Sequence, residues 1–301
     1  MKENVFKIYK KEFSEIRTGI LTGAERKIIS GGKELVEELP PWEVIYNVSE
    51  YVDIDLYYIK KSNSLSKSYN FSGEIIGASE DLYINNSVKI ATGVIFDTSE
   101  GPIFIDKNVK ISPFSYLKGP LFVGENTSIK DARIYGGVII GKNCKIAGEL
   151  ENVIIGDFTN KSHESALIHS YVGDWCNIAG YTKTADLNVD YSTIKVKLFD
   201  NIIIDTKKQK FGAIINDFVR IGGGVLIYPG TFIDFGSTVI ELPKLSGYYN
   251  PFTRFERGKF YEIDVFFNEV EIFMKRREVF PSSNFRSRCV DIFNEFSLKS
   301  V

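Results

Sequence analysis

The chain has 301 residues, 44% apolar and 25% charged, with a formal net charge of -2. That balance leaves no basic footprint for nucleic acid, and no segment approaches the roughly 20 apolar residues needed to span a bilayer. Cys144, Cys176 and Cys289 have no metal-like spacing and are odd in number, and Met1 to Glu12 lacks a signal-like apolar core, so a reducing, cytoplasmic location is expected.

Residues 1 to about 70 form a first region with no regular beat. A helical stretch from Ala24 to Glu38 is interrupted by Gly31 and Gly32, and Pro40-Pro41-Trp42 precedes an aromatic run from Tyr51 to Tyr58. The polar cluster Lys60 to Ser68 reads as a connector.

From residue 71 to 242 a period of six takes over. Ile or Val recurs at Ile215, Ile221, Ile227, Ile233 and Val239, and earlier at Ile84 and Ile90, and at Ile105, Ile111, Leu117, Val123 and Ile129. After a one-residue slip it resumes at Ile134, Ile140 and Ile146. Six fits neither a helix nor an alternating strand, and it is the period of a parallel β-helix of hexapeptides, three to a coil. The first residue of each hexad points inward and stacks on its equivalent in the next coil. The fifth position, held by Val88, Val109, Ser115, Thr127, Val138, Val225 and Thr231, fills the remaining inward sites, and Cys144 falls there as a small core residue. Outward positions are read as Lys, Glu and Asn. Gly222, Gly223 and Gly224 sit inside an unbroken hexad with no helix after them, so they are corner glycines and not a phosphate loop. The stretch from Thr184 to about Lys210 breaks the beat as a long excursion of the kind that carries function.

The last region, 243–301, is helical. Ile263, Phe266, Phe267, Val270, Phe273 and Met274 share one face of an amphipathic helix whose polar end is Lys275-Arg276-Arg277. Pro281-Ser282-Ser283 stops it and starts a second, with Val290, Phe293 and Phe296 on the apolar side. Such a pair is expected to cap the open end of the coil.

The chain's two histidines, His163 and His169, both fall in the polar segment Asn160 to Asn177. Polar residues at would-be inward sites need hydrogen-bond partners or a cleft, so His163 is read either as a catalytic base or as a satisfied structural residue.

Residues 90 to 240 resemble the left-handed β-helix acetyltransferase half of bifunctional glucosamine-1-phosphate acetyltransferase/N-acetylglucosamine-1-phosphate uridyltransferase. The resemblance is closer to a related group of sugar nucleotidyltransferase-like proteins that share the coil. It rests on Gly101-Pro-Ile-Phe-Ile-Asp106, Ile111-Ser-Pro-Phe-Ser-Tyr-Leu-Lys-Gly-Pro120, Asn160-Lys-Ser-His163 and His169-Ser-Tyr-Val-Gly-Asp-Trp-Cys-Asn177. It implies a left-handed coil, a homotrimer, and acetyl-CoA as co-substrate in a groove between two chains. His163 then matches the general base, and Asn177 the asparagine beside it. Backbone amides at Ala179, Gly180 and Tyr181 hold the thioester, and Arg133, Lys161, Tyr171, Trp175, Asp186 and Tyr191 face the sugar or sugar phosphate. Trp175 reads more readily as packing, and Asp186 and Tyr191 read also as loop anchors.

The chain departs from that pattern where the family has a tyrosine (Ala166), a phosphate-binding lysine (Glu151), an arginine (Tyr135, with Arg133 as substitute) and a histidine (Phe218). Glu15-Ile-Arg-Thr-Gly-Ile-Leu-Thr22 and Pro40-Pro-Trp-Glu43 echo the nucleotidyltransferase-like group. Yet some 70 residues are too few for a sugar-nucleotide domain, so a short α/β remnant without uridylyl transfer is expected. The residues leave two readings open, an acyltransferase and a noncatalytic trimeric scaffold. A zinc hydrolase on the same coil would need three histidines.

Overall fold

The protein is described by a computed structural model covering residues 8–61, 73–240 and 243–299. Short strands pair in parallel from rung to rung, so equivalent hexad positions stand in columns. In one column Lys110, Ser128, Lys145, Asn160, Asn177, Arg220 and Thr238 follow one another. The interval is eighteen residues from Lys110 to Ser128 and from Arg220 to Thr238, where three hexads are intact. It falls to seventeen from Ser128 to Lys145, which is the slip in the beat.

The inward columns hold the residues that the beat selects. Ile84, Ile105, Val123, Ile140, Ile215 and Ile233 are buried in one core with Ile111, Ile129, Ile146, Ile221 and Val239. Fifth-position side chains tie rungs together: Thr127 Oγ1 donates to Gly141 O at 2.9 Å, and Thr159 Oγ1 to Gly173 O at 2.8 Å. Cys144 and Cys176 occupy the same position fully buried, and burial pushes both thiols up.

One outward column departs from the expected Lys, Glu and Asn. Tyr83, Phe104, Phe122, Ile139, Ile154, Tyr171, Ile214, Phe232 and Tyr248 stack rung on rung, each just before an inward Ile or its equivalent. They form a second core with the N-terminal region. Among its described residues that region is helical: α1 (Gly23–Ile29), α2 (Pro41–Val44) and α3 (Val48–Lys61). Thr22 and Glu25 make a capping box at the start of α1. The helix stops well before Glu38 because Gly31 and Gly32 turn left-handed, at φ +72° and +93°. Inside this layer Asp55 takes two bonds from the Arg26 guanidinium, at 2.6 and 2.9 Å, with both side chains buried. Helix α3 absorbs the start of the expected connector; its remainder, 62–68, lies outside the described residues.

The excursion is a structured hairpin. Lys195–Lys197 pairs antiparallel with Ile203–Asp205, and a bridge between Leu187 and Lys210 closes its neck. Ile194, Val196 and Phe211 bury against the N-terminal layer, where Trp42 meets Phe211 edge-on at 6.2 Å. At the neck Tyr46 donates to Lys210 O at 2.7 Å and lies beside the His169 ring. His169 is buried at φ +43°, with Nδ1 3.0 Å from Asp186 Oδ2 and Nε2 3.3 Å from the Asn152 amide. Burial outweighs the neighbouring carboxylates of Asp186 and Glu151 and lowers its pKa.

A corner column explains the C-terminal helices α4 (Ile263–Lys275) and α5 (Ser283–Lys299). The corner takes φ near +60°, and Asn108, Asn126 and Asn143 fill it in the early rungs, as suits a side chain that tolerates the left-handed region. From there Phe158, Trp175, Phe218 and Phe252 take over at the same φ. A left-handed non-glycine residue costs about 1–2 kcal/mol, and burying an aromatic ring returns about as much or more. Phe158 and Trp175 stack at 4.2 Å and 3°, and Phe218 meets Phe285 at 4.8 Å. At Gly236 the column omits a side chain, because a Cβ there would lie 2.9 Å from the Phe266 ring. The contacts run from Asn143, which accepts from Arg277, to Phe252, which meets Phe293, so the covering is lateral along this corner.

Asp217 joins the three layers. Its carboxylate accepts from Lys11 at 3.0 Å, Asp174 N–H at 2.9 Å and Arg288 at 3.2 Å. Burial alone would raise its pKa, but Lys11 and Arg288 outweigh burial and hold it below the usual range. The Asp217→Asn variant keeps an acceptor for Asp174 N–H and loses the charge; it is expected to cost about 3 kcal/mol, read from urea unfolding at pH 7. Because the native pKa is depressed, that difference is full above the unfolded value of about 4 and shrinks as pH falls below it. For His169, also depressed, stability is full above about 6.5 and declines below. His169→Asn, which suits the left-handed φ, is expected to flatten the melting-temperature slope between pH 7 and 5.

Candidate functional site

Strand Asn160–Lys161 runs into a turn carrying His163, and one rung on Asn177–Ile178 runs into Ala179-Gly180-Tyr181. Equivalent positions stack, so His163 lies against Gly180: a Cβ on Gly180 would stand 3.3 Å from His163 Cβ and 3.4 Å from Cγ. His163 is exposed on this corner, and Tyr181 beside it is exposed too. Arg133 reaches the same place from an earlier rung by pairing with Glu164 at 2.8 Å.

The turn is held from below by Lys161. Its side chain is buried, and Nζ donates to Ala147 O, His163 O and Ser165 O at 2.8, 3.2 and 2.8 Å. Burial pushes the amine down to about 8. With all three donors engaged, Lys161 positions the His163 turn and is not open to a substrate. The amides expected to face a thioester divide as well. Ala179 N–H donates to Ile221 O and Tyr181 N–H to Glu164 O, both at 3.1 Å. Gly180 N–H makes no hydrogen bond among the described residues.

Three residues before His163 and Gly180, the column Lys145, Asn160, Asn177, Arg220 floors a groove of about 180 Å³ that α4 overhangs. Asn160 Nδ2 donates to Asn177 Oδ1 at 2.7 Å, and the Arg220 guanidinium lies 3.8 Å from the Phe273 ring centre. Arg276 and Arg277, at the C-terminal end of α4, line the same groove, Arg277 donating to Asn143 O. Three chain positions, two strand residues and the start of the turn, separate this floor from the His163 corner, at most about 10 Å. Trp175 lines the groove by an edge while its faces pack between Phe158 and Phe218.

Other residues singled out from the sequence lie elsewhere. Tyr171 is buried against Tyr9, edge-on at 5.0 Å, in the outward apolar column. Asp186 serves His169 on a different corner, and Tyr191 is exposed in the excursion, its carbonyl accepting from Gln209. Phe218 stands where the resemblance expects a histidine because helices α4 and α5 cover that corner here. Lys145, Arg220, Arg276 and Arg277 were not foreseen. The rung column supplies the signal for the first two, and the basic run after Phe273 reads as an ordinary helix end until that end is seen to lie on the coil.

No family model matches the chain. Over 150 residues it is 30% identical to the uncharacterised acetyltransferase YaiX of Escherichia coli O6:K15:H31, covering 49% of this chain and 65% of that protein. Over 229 residues it is 28% identical to the bifunctional protein GlmU of Methanococcus vannielii, covering 73% of this chain and 48% of that one. The chain thus spans just under two thirds of the length of one relative and about half of the other. Among solved structures, the polySia-specific acetyltransferase NeuO aligns at 16% identity with a TM-score of 0.34, over 64% of this chain and 85% of that one. The polysialic acid O-acetyltransferase OatWY aligns at 11% and 0.31, over 64% and 92%. Scores this low carry nothing about the site. In sequence, the chain is distantly similar to acetyltransferases built on hexapeptide coils.

Proposed function

We propose that the protein is an acyltransferase that moves an acetyl group from acetyl-CoA to an amine or hydroxyl of a sugar or sugar phosphate, working as a homotrimer with His163 as general base. The observation that carries this reading is the His163 corner: an exposed imidazole held by the Lys161-anchored turn against a glycine whose N–H is not in a rung bond. His163 takes the proton that the acceptor loses as it attacks the thioester carbonyl. Gly180 N–H is the donor at hand for the oxygen that gains charge, and Gly180 itself leaves room for the acyl group. Asn177 lines the approach to this corner and binds the reactants. Arg133, turned to the corner through Glu164, is the cation nearest to an acceptor phosphate. Uridylyl transfer has no place in this reading.

A noncatalytic trimeric scaffold is the second reading, favoured by the burial of Lys161 and Tyr171 and by the covered corner at Phe218. Thiol release from acetyl-CoA, with glucosamine 1-phosphate and a panel of amino sugars, separates the two. His163→Ala is expected to lower turnover by at least about 100-fold while light scattering shows an unchanged trimer. Gly180→Ala, whose Cβ crowds His163, is expected to lower turnover about 10- to 100-fold. Wild-type protein that releases no thiol with any acceptor would leave the scaffold reading in possession.

A further inference from the structure

The groove under α4 holds four cations, Lys145, Arg220, Arg276 and Arg277, and among the described residues none of them is in an ion pair. Elsewhere the chain neutralises its clustered charges, as Lys11 does for Asp174 and Asp217. Glu269 acts on Arg220 from outside the groove without pairing with it, and the cost of crowding like charges is visible at Lys145, whose amine is lowered chiefly by Arg277, then by burial. Arg220 is held in the groove on the Phe273 ring with its own pKa lowered, chiefly by burial. Placing two cations at the end of α4 satisfies the helix dipole, but that accounts for neither Lys145 nor Arg220, which come from the coil. The coil pair stands three rungs apart, about 14 Å, bridged by the Asn160 and Asn177 amides.

The geometry points to a binding site for a ligand bearing two phosphate groups and a planar ring, a nucleotide diphosphate or bisphosphate, with its phosphates between the coil cations and the end of α4 and its ring against the open edge of Trp175. Charge-assisted bonds from guanidinium groups suit phosphate oxygens, and the ring edge that Trp175 turns to the groove suits an edge-on contact with a base. The site lies within one chain, between coil and helix, and shares Asn177 with the approach to the His163 corner. It does not rest on acyl transfer. The nucleotide end of coenzyme A and a nucleoside-diphosphate sugar share this chemistry.

Calorimetric titration of the full chain at low salt with coenzyme A, UDP and pyrophosphate tests the site. Binding of at least one nucleotide, tighter than pyrophosphate, is expected. The Arg276→Gln/Arg277→Gln double variant should weaken it about 10- to 100-fold with an unchanged circular dichroism spectrum. Lys145→Gln, on the coil, provides a second variant that does not touch the helix. Whichever of coenzyme A and UDP loses affinity in both charge variants names the source of the nucleotide. His163→Ala should bind as wild type does, so failure of acyl transfer and failure of this site are told apart. No binding of any of the three probes at millimolar concentration overturns the proposal, as does nucleotide binding that survives both charge variants unchanged.

Discussion

Everything in this molecule depends on the parallel hydrogen-bonded register between successive rungs. Because each strand pairs with the same strand of the next coil, a choice of side chain at one hexad position is repeated as a column about 4.8 Å apart. A column then has to be chemically self-consistent over its whole length. Ile and Val satisfy this inward, where β-branched side chains stack. At the corner column Asp157 N–H donates to Asp174 and Asp174 N–H to Asp217, a ladder that leaves carboxylates piled together until Lys11 and Arg288 neutralise its end.

The same constraint decides how the coil is covered. An apolar outward column cannot face water along its full length without becoming a docking surface, so the N-terminal helices and the excursion hairpin lie over it. The left-handed corner shows the converse. Asn occupies it where the corner meets solvent, and aromatic rings occupy it where α4 and α5 lie alongside, so a backbone conformation that disfavours large residues is maintained by what packs on them.

The inward columns were legible in the sequence because their signal is a fixed period in one residue class. The outward apolar column was not, since residues such as Phe122 and Ile139 directly precede inward ones and read as reinforcement of the same strands. Lys161 and Tyr171 were expected at the site because they stand in the segments that carry the resemblance. In a strand, alternation turns neighbours to opposite faces, which puts Lys161 inside the coil, and Tyr171 sits in the covered outward column. The cationic groove was hidden for another reason. Lys145 and Arg220 fall on one column only once the 43-residue interval between Asn177 and Arg220 is known to be a single rung with a hairpin let into it, and only the fold brings Arg276 and Arg277 to that column. Gly31 and Gly32, by contrast, marked their helix end openly, and the expected helix simply ran past them.

That long rung has a consequence for how such a chain can change. The excursion leaves and re-enters at one corner, and its neck is closed by the pairing of Leu187 with Lys210, so the coil on either side keeps its register whatever the loop contains. Residues can be gained or lost there without moving a single column, whereas one residue gained inside a strand turns the side chains that follow it in that strand to the opposite face. The exposed turn of the hairpin around Ile202 is therefore the part free to drift in length and chemistry, while Ile194 and Val196 stay tied to the N-terminal layer, and the His163 corner, on another edge of the same rungs, is shielded from that drift by the coil's own rigidity.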